Sequence, residues 1–530
     1  LQRQGISFPQ SCQGLGTCKQ CKVTILTKSP SSKKEVLACQ YRVYSSLKVI
    51  LPYLPKLQHF RTRSRHPKLK TPVRTISISL PRKPVPGGLT AYLPKQTRKK
   101  FKHTPHFCRT LPADYYKNEK LTIQTTSRHF WNGDKRQFII LCDFGTTTVS
   151  CRKVAVRSGS QESYNFANPQ IALGSDVISR IHTLMDSHPF QKCLEDTNHF
   201  ISQMLESMNT HPREVFCFIV TGNSVMEYIL RGFSPHSLGS YPFLLSWQGD
   251  EWTVKQDMLW YFFPLITGFL GGDLLAGLYG IHADKEKDFL FIDIGTNGEI
   301  ALSHKDTIYS CSCAAGPALE GGNIENGGPA VPGAVYCLKK GEFQTIGNIP
   351  PHSFCGSGII DFIWSAYQEG ILHADGTIQA SSSDHFLVSD NLVIHKKLPS
   401  LPISQKEIRD FQNAKAAFWS GIKILLEESG RTQKIPRKIY VGGGFSHSLN
   451  VTALQDLDFF PQEVFKSTII PSPQPAMEGL MRFYELLNRS PEKTLQRIFK
   501  VIKPLSLAEH QNFEQYFMQG IFLDTGKHVP

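Results

Sequence analysis

The sequence predicts an α/β protein of two facing lobes, with a small cysteine-bearing domain ahead of them. Three observations carry this. A strand leading into Asp-x-Gly-Thr occurs twice, around Asp143 and again around Asp293, about 150 residues apart. Late in the chain an apolar run, Ile439-Tyr-Val441, enters the glycine triplet Gly442, Gly443 and Gly444. Four cysteines stand near the start, three in one Gly-rich loop (Cys12, Cys18, Cys21) and Cys39 beyond it.

A chain of 530 residues with 40% hydrophobic and 19% charged residues supports two to four globular domains. It opens on Leu1-Gln-Arg-Gln-Gly-Ile, which is not a secretory signal, and the missing initiator Met implies a record that begins inside the gene product. One stretch, residues 258–281, is long and apolar enough to span a bilayer. Pro264, the Gly271-Gly272 pair and Asp273 inside it make it a buried core segment instead, so no membrane is expected.

Of the 13 cysteines, all but the four at the start are scattered through apolar context, where a free thiol acts as a small hydrophobe. Cys311, Cys313, Cys337 and Cys355 show no ligand spacing. This usage fits a reducing, cytoplasmic setting with one dedicated Cys site. The net charge of +15 is unevenly placed: between Gln40 and Gln137 there are 22 Lys and Arg against three acids. Such a block fits an acidic partner or a solvated linker. It lacks the interleaved aromatics that stack nucleobases, which argues against a nucleic-acid partner.

Taken in order, the cysteines read CxxxxxCxxC, then seventeen residues, then Cys39. Three thiolates in a loop and one distant partner suit a [2Fe-2S] cluster, which needs two ligands per iron, and Gly14 and Gly16 let the loop approach the inorganic sulfides. Zinc is the rival, although Cys₄ zinc sites favour two paired knuckles. Residues 46–137 are a basic linker or intermediate region in which the alternation of residues 73–80 reads as a strand. Phe138-Ile-Ile-Leu-Cys-Asp143-Phe-Gly145-Thr146-Thr147-Thr148 and Phe291-Ile-Asp293-Ile-Gly295-Thr296-Asn297-Gly298 then read as two hairpins shaped to hold phosphate. Gly295 and Gly298 are expected to turn the backbone with φ > 0, while amides and the Thr296 hydroxyl face anionic oxygens and Asp293 orients water on Mg²⁺. The glycine triplet lets backbone lie flat against adenine and ribose. No P-loop or GxGxxG competes.

Phosphate hairpin, phosphate hairpin and adenosine loop, in that order, resemble the motifs of the actin, Hsp70 and sugar-kinase superfamily, whose two lobes are ribonuclease H-like repeats. Joined to a ferredoxin-like four-Cys start, they resemble the reductive activators of corrinoid proteins. The blocks Asn168-Pro-Gln-Ile-Ala-Leu-Gly-Ser-Asp-Val-Ile-Ser-Arg-Ile181, Ala314-Ala-Gly-Pro-Ala-Leu-Glu-Gly-Gly-Asn-Ile324, Cys355-Gly-Ser-Gly-Ile-Ile-Asp361 and Glu407-Ile-Arg-Asp-Phe-Gln-Asn-Ala-Lys415 look like that family too.

The resemblance implies a partial β-grasp ferredoxin-like domain at 1–45, short of its upstream half because only eleven residues precede Cys12, a linker at 46–137 and a two-lobed actin-like ATPase at 138–530. It implies ATP-dependent reduction of the Co(II) corrinoid of a partner protein to Co(I), with electrons from a low-potential donor. Iron would sit on Cys12, Cys18, Cys21 and Cys39, water-bound Mg²⁺ on the catalytic pair Asp143 and Asp293, and ATP on the two hairpin turns and the glycine triplet. Read from the residues, Glu299 or Glu320 is a candidate to position the attacking water, and each reads equally as a surface or salt-bridge carboxylate. The alternatives are an ATP-dependent activator of another metalloprotein and a non-catalytic relative. One departure stands out: Pro471-Ser-Pro-Gln-Pro-Ala-Met477 replaces the expected Gly/Asn/Ala-rich turn.

Overall fold

The computed structural model describes residues 137–524, except 175, 186, 257, 380–381, 432–433 and 444–445, together with six short strands ahead of them. Cys12, Cys18, Cys21, Cys39 and Gly444 lie outside the described residues. Of the six strands, Lys22–Leu26 pairs antiparallel with Lys33–Leu37 and Lys48–Ile50. Arg74–Ser79, the alternating piece read from the sequence, pairs with Lys120–Thr125, which also carries Phe130–Asn132.

Two six-stranded sheets form the lobes, and they repeat one another. In the first, Phe138–Phe144 lies parallel to Val215–Gly222, which lies parallel to Met258–Phe262. On its other side Phe138–Phe144 pairs antiparallel with Thr148–Ala155, and that strand with Gln161–Ala167. In the second, Phe289–Asp293, Lys438–Gly442 and Thr468–Ser472 are the parallel strands. Gly298–His304 and Thr307–Cys313 extend that sheet antiparallel. Each lobe adds an edge, Glu251–Lys255 in the first and Ile502–Pro504 in the second. The parallel strands read as near-continuous apolar runs because both faces of each sheet are covered; Val215–Gly222 is buried along its whole length.

Helices Gly272–Gly280 and Pro475–Glu485 occupy equivalent places, each following the last parallel strand of its lobe, and they pack on each other between the sheets. They approach through small residues. A methyl on Gly479 would lie 1.9 Å from the Ala276 carbonyl oxygen, and one on Gly280 would lie 2.8 Å from that of Pro475. The core around them draws Leu141, Leu259, Tyr261 and Leu275 from the first lobe and Phe291, Ala301, Leu480 and Phe483 from the second. Tyr261 stacks on Phe483 with centroids 4.5 Å apart. The lobes therefore share one apolar layer, to which residues 258–281 give Leu259, Tyr261, Leu275 and Tyr279 among others, while Met258, Trp260, Phe262 and Leu265 pack in the core of the first lobe. Among the described residues no helix is long and apolar enough to cross a membrane.

Pro471 lies in Thr468–Ser472, the outermost strand of its sheet, where a missing N–H breaks no ladder. Pro475 opens the next helix at a position that needs no intrahelical N–H. The departure noted in the sequence thus ends one strand and starts one helix.

Candidate active site

Both predicted hairpins form, and register brings their parts together. Asp143 pairs with Ser150 and Asp293 with Glu299, so each Asp lies at the end of a strand beside its turn, Asp293 as the last residue and Asp143 as the last but one. Gly145, Thr146 and Thr147 make the first turn with Thr148 opening the return strand. Gly295, Thr296 and Asn297 lie in the second turn, with Gly298 opening its return strand.

The first turn is held from behind. Asn168 donates its side-chain amide to the Gly145 carbonyl at 2.8 Å and its backbone N–H to the Thr147 carbonyl at 2.9 Å. Buried Arg180 donates Nη2 to the Thr146 carbonyl at 2.5 Å and Nε to that of Gly174 at 2.8 Å. Three successive carbonyls are thereby drawn away from the cleft. Both residues belong to the block at 168–181, quoted above without a role; the signal was a cluster of Asn, Gly and Arg too polar for a core.

The hairpin glycines correct one expectation. Gly145, Gly295 and Gly298 do not have positive φ; Gly443 does, at 106°. What Gly145, Gly298 and Gly442 lack is room. A methyl on Gly145 would lie 2.6 Å from the Thr148 carbonyl oxygen, and one on Gly298 would lie 2.3 Å from the Phe418 ring. One on Gly442 would meet Asp293 Oδ1 at 2.6 Å, because Gly442 is the register partner of Asp293. The described part of the triplet is therefore packed against the second hairpin.

Six enclosed carboxyl groups from the two lobes form one electrostatic group: Asp143, Glu227 and Asp273 from the first lobe, Asp293, Glu299 and Glu320 from the second. Enclosure by the protein is the leading cause pushing each of them up, Asp293 to about 7 and Asp273 to about 6. Negative neighbours add to it. Asp273 raises Asp143, Glu227, Asp293 and Glu299 together, so it sits at the electrostatic centre of the group. The Gly222 N–H, 3.1 Å from Glu227 Oε1, pulls that acid back down.

Neither Asp273 nor Glu227 was assigned a role from the sequence. Asp273 counted there only as a charge that broke an apolar run, and that break was the available signal. Two buried atoms by the start of helix Gly272–Gly280, Thr221 Oγ1 and Glu227 Oε2, have no hydrogen-bond partner. Among the described residues no three His, Cys, Asp or Glu side chains converge closely enough to hold a metal ion directly.

Glu320 joins the two turns. Its Oε1 accepts from the Thr296 N–H at 3.2 Å, and its Oε2 accepts from the Thr296 hydroxyl and, at 3.5 Å, from the Thr147 hydroxyl of the other lobe. A separate cavity of about 410 Å³ lies against Ser448 and the start of helix Gly356–Gln368, lined by Tyr336, Asn348, Cys355 and Ser357, and shares no residue with the hairpins. Cys311, Cys313 and Cys355 are buried thiols, in keeping with their scattered placement.

Comparison with known proteins covers most of the chain. Residues 1–44 match a family described as a 2Fe-2S iron-sulfur cluster binding domain, residues 138–286 one described as the RACo middle region, and residues 287–529 one described as the C-terminal domain of RACo, the ASKHA domain. The boundary at 286/287 falls between the two repeated sheets. Corrinoid activation enzyme RamQ of Eubacterium limosum is 28% identical over 516 residues, 86% of this chain and 85% of that protein. A Co(II) methylated amine-specific corrinoid protein reductase of Methanosarcina barkeri is 26% identical over 213 residues, 34% of this chain and 36% of that protein. The solved structure of a reductive activator for corrinoid, iron-sulfur protein superposes with a TM-score of 0.72 at 23% identity, over 97% of this chain and 93% of that one, which shows the shared fold.

Proposed function

The chain belongs to the family of reductive activators of corrinoid proteins, and on that premise we propose that it uses ATP bound between its lobes to reduce the Co(II) corrinoid of a partner protein to Co(I). The observation that carries the nucleotide half is the convergence of two hydroxyl-bearing turns and six carboxyl groups on one cleft. The amides and hydroxyls of residues 145–148 and 295–297 would receive the phosphates, and the glycine triplet the adenosine.

The residues fit a hard cation. The charges that push Asp143, Asp293 and Glu299 up are all other acids, or the Cys313 thiol, so a divalent ion would relieve a repulsion the fold itself creates. Asp143 and Asp293 would hold Mg²⁺ through water, and Asp273 joins them as a third acid acting on both. The ion would supply neutralisation of phosphate charge; positioning, not a covalent residue, falls to the protein.

At the other end, Cys12, Cys18, Cys21 and Cys39 would hold a [2Fe-2S] cluster, a one-electron carrier filled by a low-potential donor. The proposed division is 1–45 for the cluster domain, 46–137 for the basic linker and 138–530 for the ATPase. Reduction of Co(II) becomes feasible when a protein strips or changes an axial ligand of the cobalt, since this raises its reduction potential, and gripping the corrinoid partner is the task assigned to the lobes. The eight described cysteines are all free thiols, which supports a cytoplasmic setting.

Anaerobic reconstitution of the full chain with iron and sulfide tests the reading. It should yield a brown protein with a one-electron EPR signal and an ATP turnover that rises on adding a Co(II) corrinoid protein. A colourless protein that takes up zinc, or turnover indifferent to the corrinoid protein, overturns it.

A further inference from the structure

We infer that Glu320 occupies the place of the terminal phosphate in the nucleotide-free chain and so sets its preference between a nucleoside triphosphate and a diphosphate. This rests on the nucleotide reading above and goes past it by assigning a competitor built into the site. Glu320 accepts from the groups that make the turns phosphate-binding: the Thr296 amide, the Thr296 hydroxyl and the Thr147 hydroxyl. The first two belong to the second lobe and the last to the first. With adenosine on the glycine triplet of the second lobe, as proposed above, an acceptor bonded to both turns would lie at the far end of the phosphate chain. A carboxylate imitates that end well, being an acceptor-only anion with two oxygens for several donors.

The backbone holds Glu320 in this place. It ends the short turn Pro317–Glu320, flanked by Gly316 at φ 72° and Gly321 at φ 81°, conformations that favour glycine. A methyl on Gly321 would lie 2.1 Å from the Gly328 N, and one on Gly322 would lie 2.5 Å from Pro317 Cβ, so the turn is wedged against its neighbours and only the side chain can give way. Asp293 and Glu299 already feel the Glu320 charge. An incoming terminal phosphate adds another anion to the same donors and has to displace the carboxylate, whereas a diphosphate that stops short leaves it in place.

Calorimetric titration of the full chain and of Glu320→Gln and Glu320→Ala with Mg²⁺ and a non-hydrolysable ATP analogue, and separately with Mg²⁺ and ADP, tests this. Removing the charge should raise the affinity for the triphosphate relative to ADP by roughly 5-fold or more, the lower end of typical coupling between sites. Glu320→Gln, which keeps the shape, should move the ratio in the same direction as Glu320→Ala. A ratio that stays the same or falls, in variants that still bind both nucleotides, overturns the inference and leaves the nucleotide reading standing. A wild-type chain that binds neither nucleotide defeats both. A residue with a merely structural role would weaken both ligands together and leave the ratio where it was.

Discussion

Asp293 is an acid held above its ordinary range by burial first, and then by Asp273 and Glu320, reaching about 7 from a usual 3.8. A folded value raised above the unfolded one has a definite sign. The stability tied to this carboxyl is complete below pH 3.8 and is lost as the pH climbs through about 7, and Asp273, at about 6, loses its share in the same window. Without divalent ions, therefore, the melting temperature should fall from about pH 4 to about pH 7, and Asp293→Asn should flatten the fall. A slope equally steep in the variant would show that the charge is compensated elsewhere. On the proposed reading the same variant should lose ATP turnover by about 10²–10³-fold.

At this scale the sequence was partly legible. Asp143 and Asp293 announce themselves through the Gly and Thr that follow them, and the pair is more specific than either member. Asp273, Glu227 and Arg180 carry no such local mark, because their neighbours in space come from strands and turns distant in the chain. Glu320 stands out in the sequence only as one candidate for positioning the attacking water; that it ties both turns depends on a packing of residues 316–328 that no spacing reveals.

Among the elements, the hairpins were readable because an apolar run, a tight turn and a second apolar run are local chemistry. The reason for their glycines was not. Left-handed backbone was expected at Gly298, yet it and Gly145 are required by close neighbours, for Gly298 the ring of Phe418, 120 positions away. The crossing of Gly272–Gly280 and Pro475–Glu485 was likewise hidden, since a glycine inside a helical pattern ordinarily reads as a weakness. At Gly479 it permits contact. Gly479→Ala should therefore destabilise the chain by about 1–3 kcal/mol in denaturant unfolding, against the helix-propensity gain that Ala would bring on an exposed face. A stabilised variant would mean that the helices part freely.

For the whole molecule, the proposed cation connects residues that belong to different sheets. Asp143 lies near the end of a strand of the first lobe, and Asp293 ends a strand of the second. Because both would serve one ion, Asp143→Ala and Asp293→Ala should each weaken Mg-dependent nucleotide binding, and the double variant should be little worse than either single one. Losses that simply add would place the two acids in separate tasks.

The helix crossing then acquires a mechanical meaning. Asp273 lies three residues before Ala276 on one helix, and Pro475, whose ring faces Gly442, lies four residues before Gly479 on the other, so the lever arms are about 4.5 and 6 Å at the usual rise per residue. Pivoting one helix on the other by about 10° would carry each end by about 1 Å, a displacement on the order of what separates productive from unproductive alignment. With arms this short, a shift of about 1 Å at either helix end corresponds to a turn of about 10° of one helix on the other, so on the proposed reading a small change at the phosphates would be read out as rotation between the lobes.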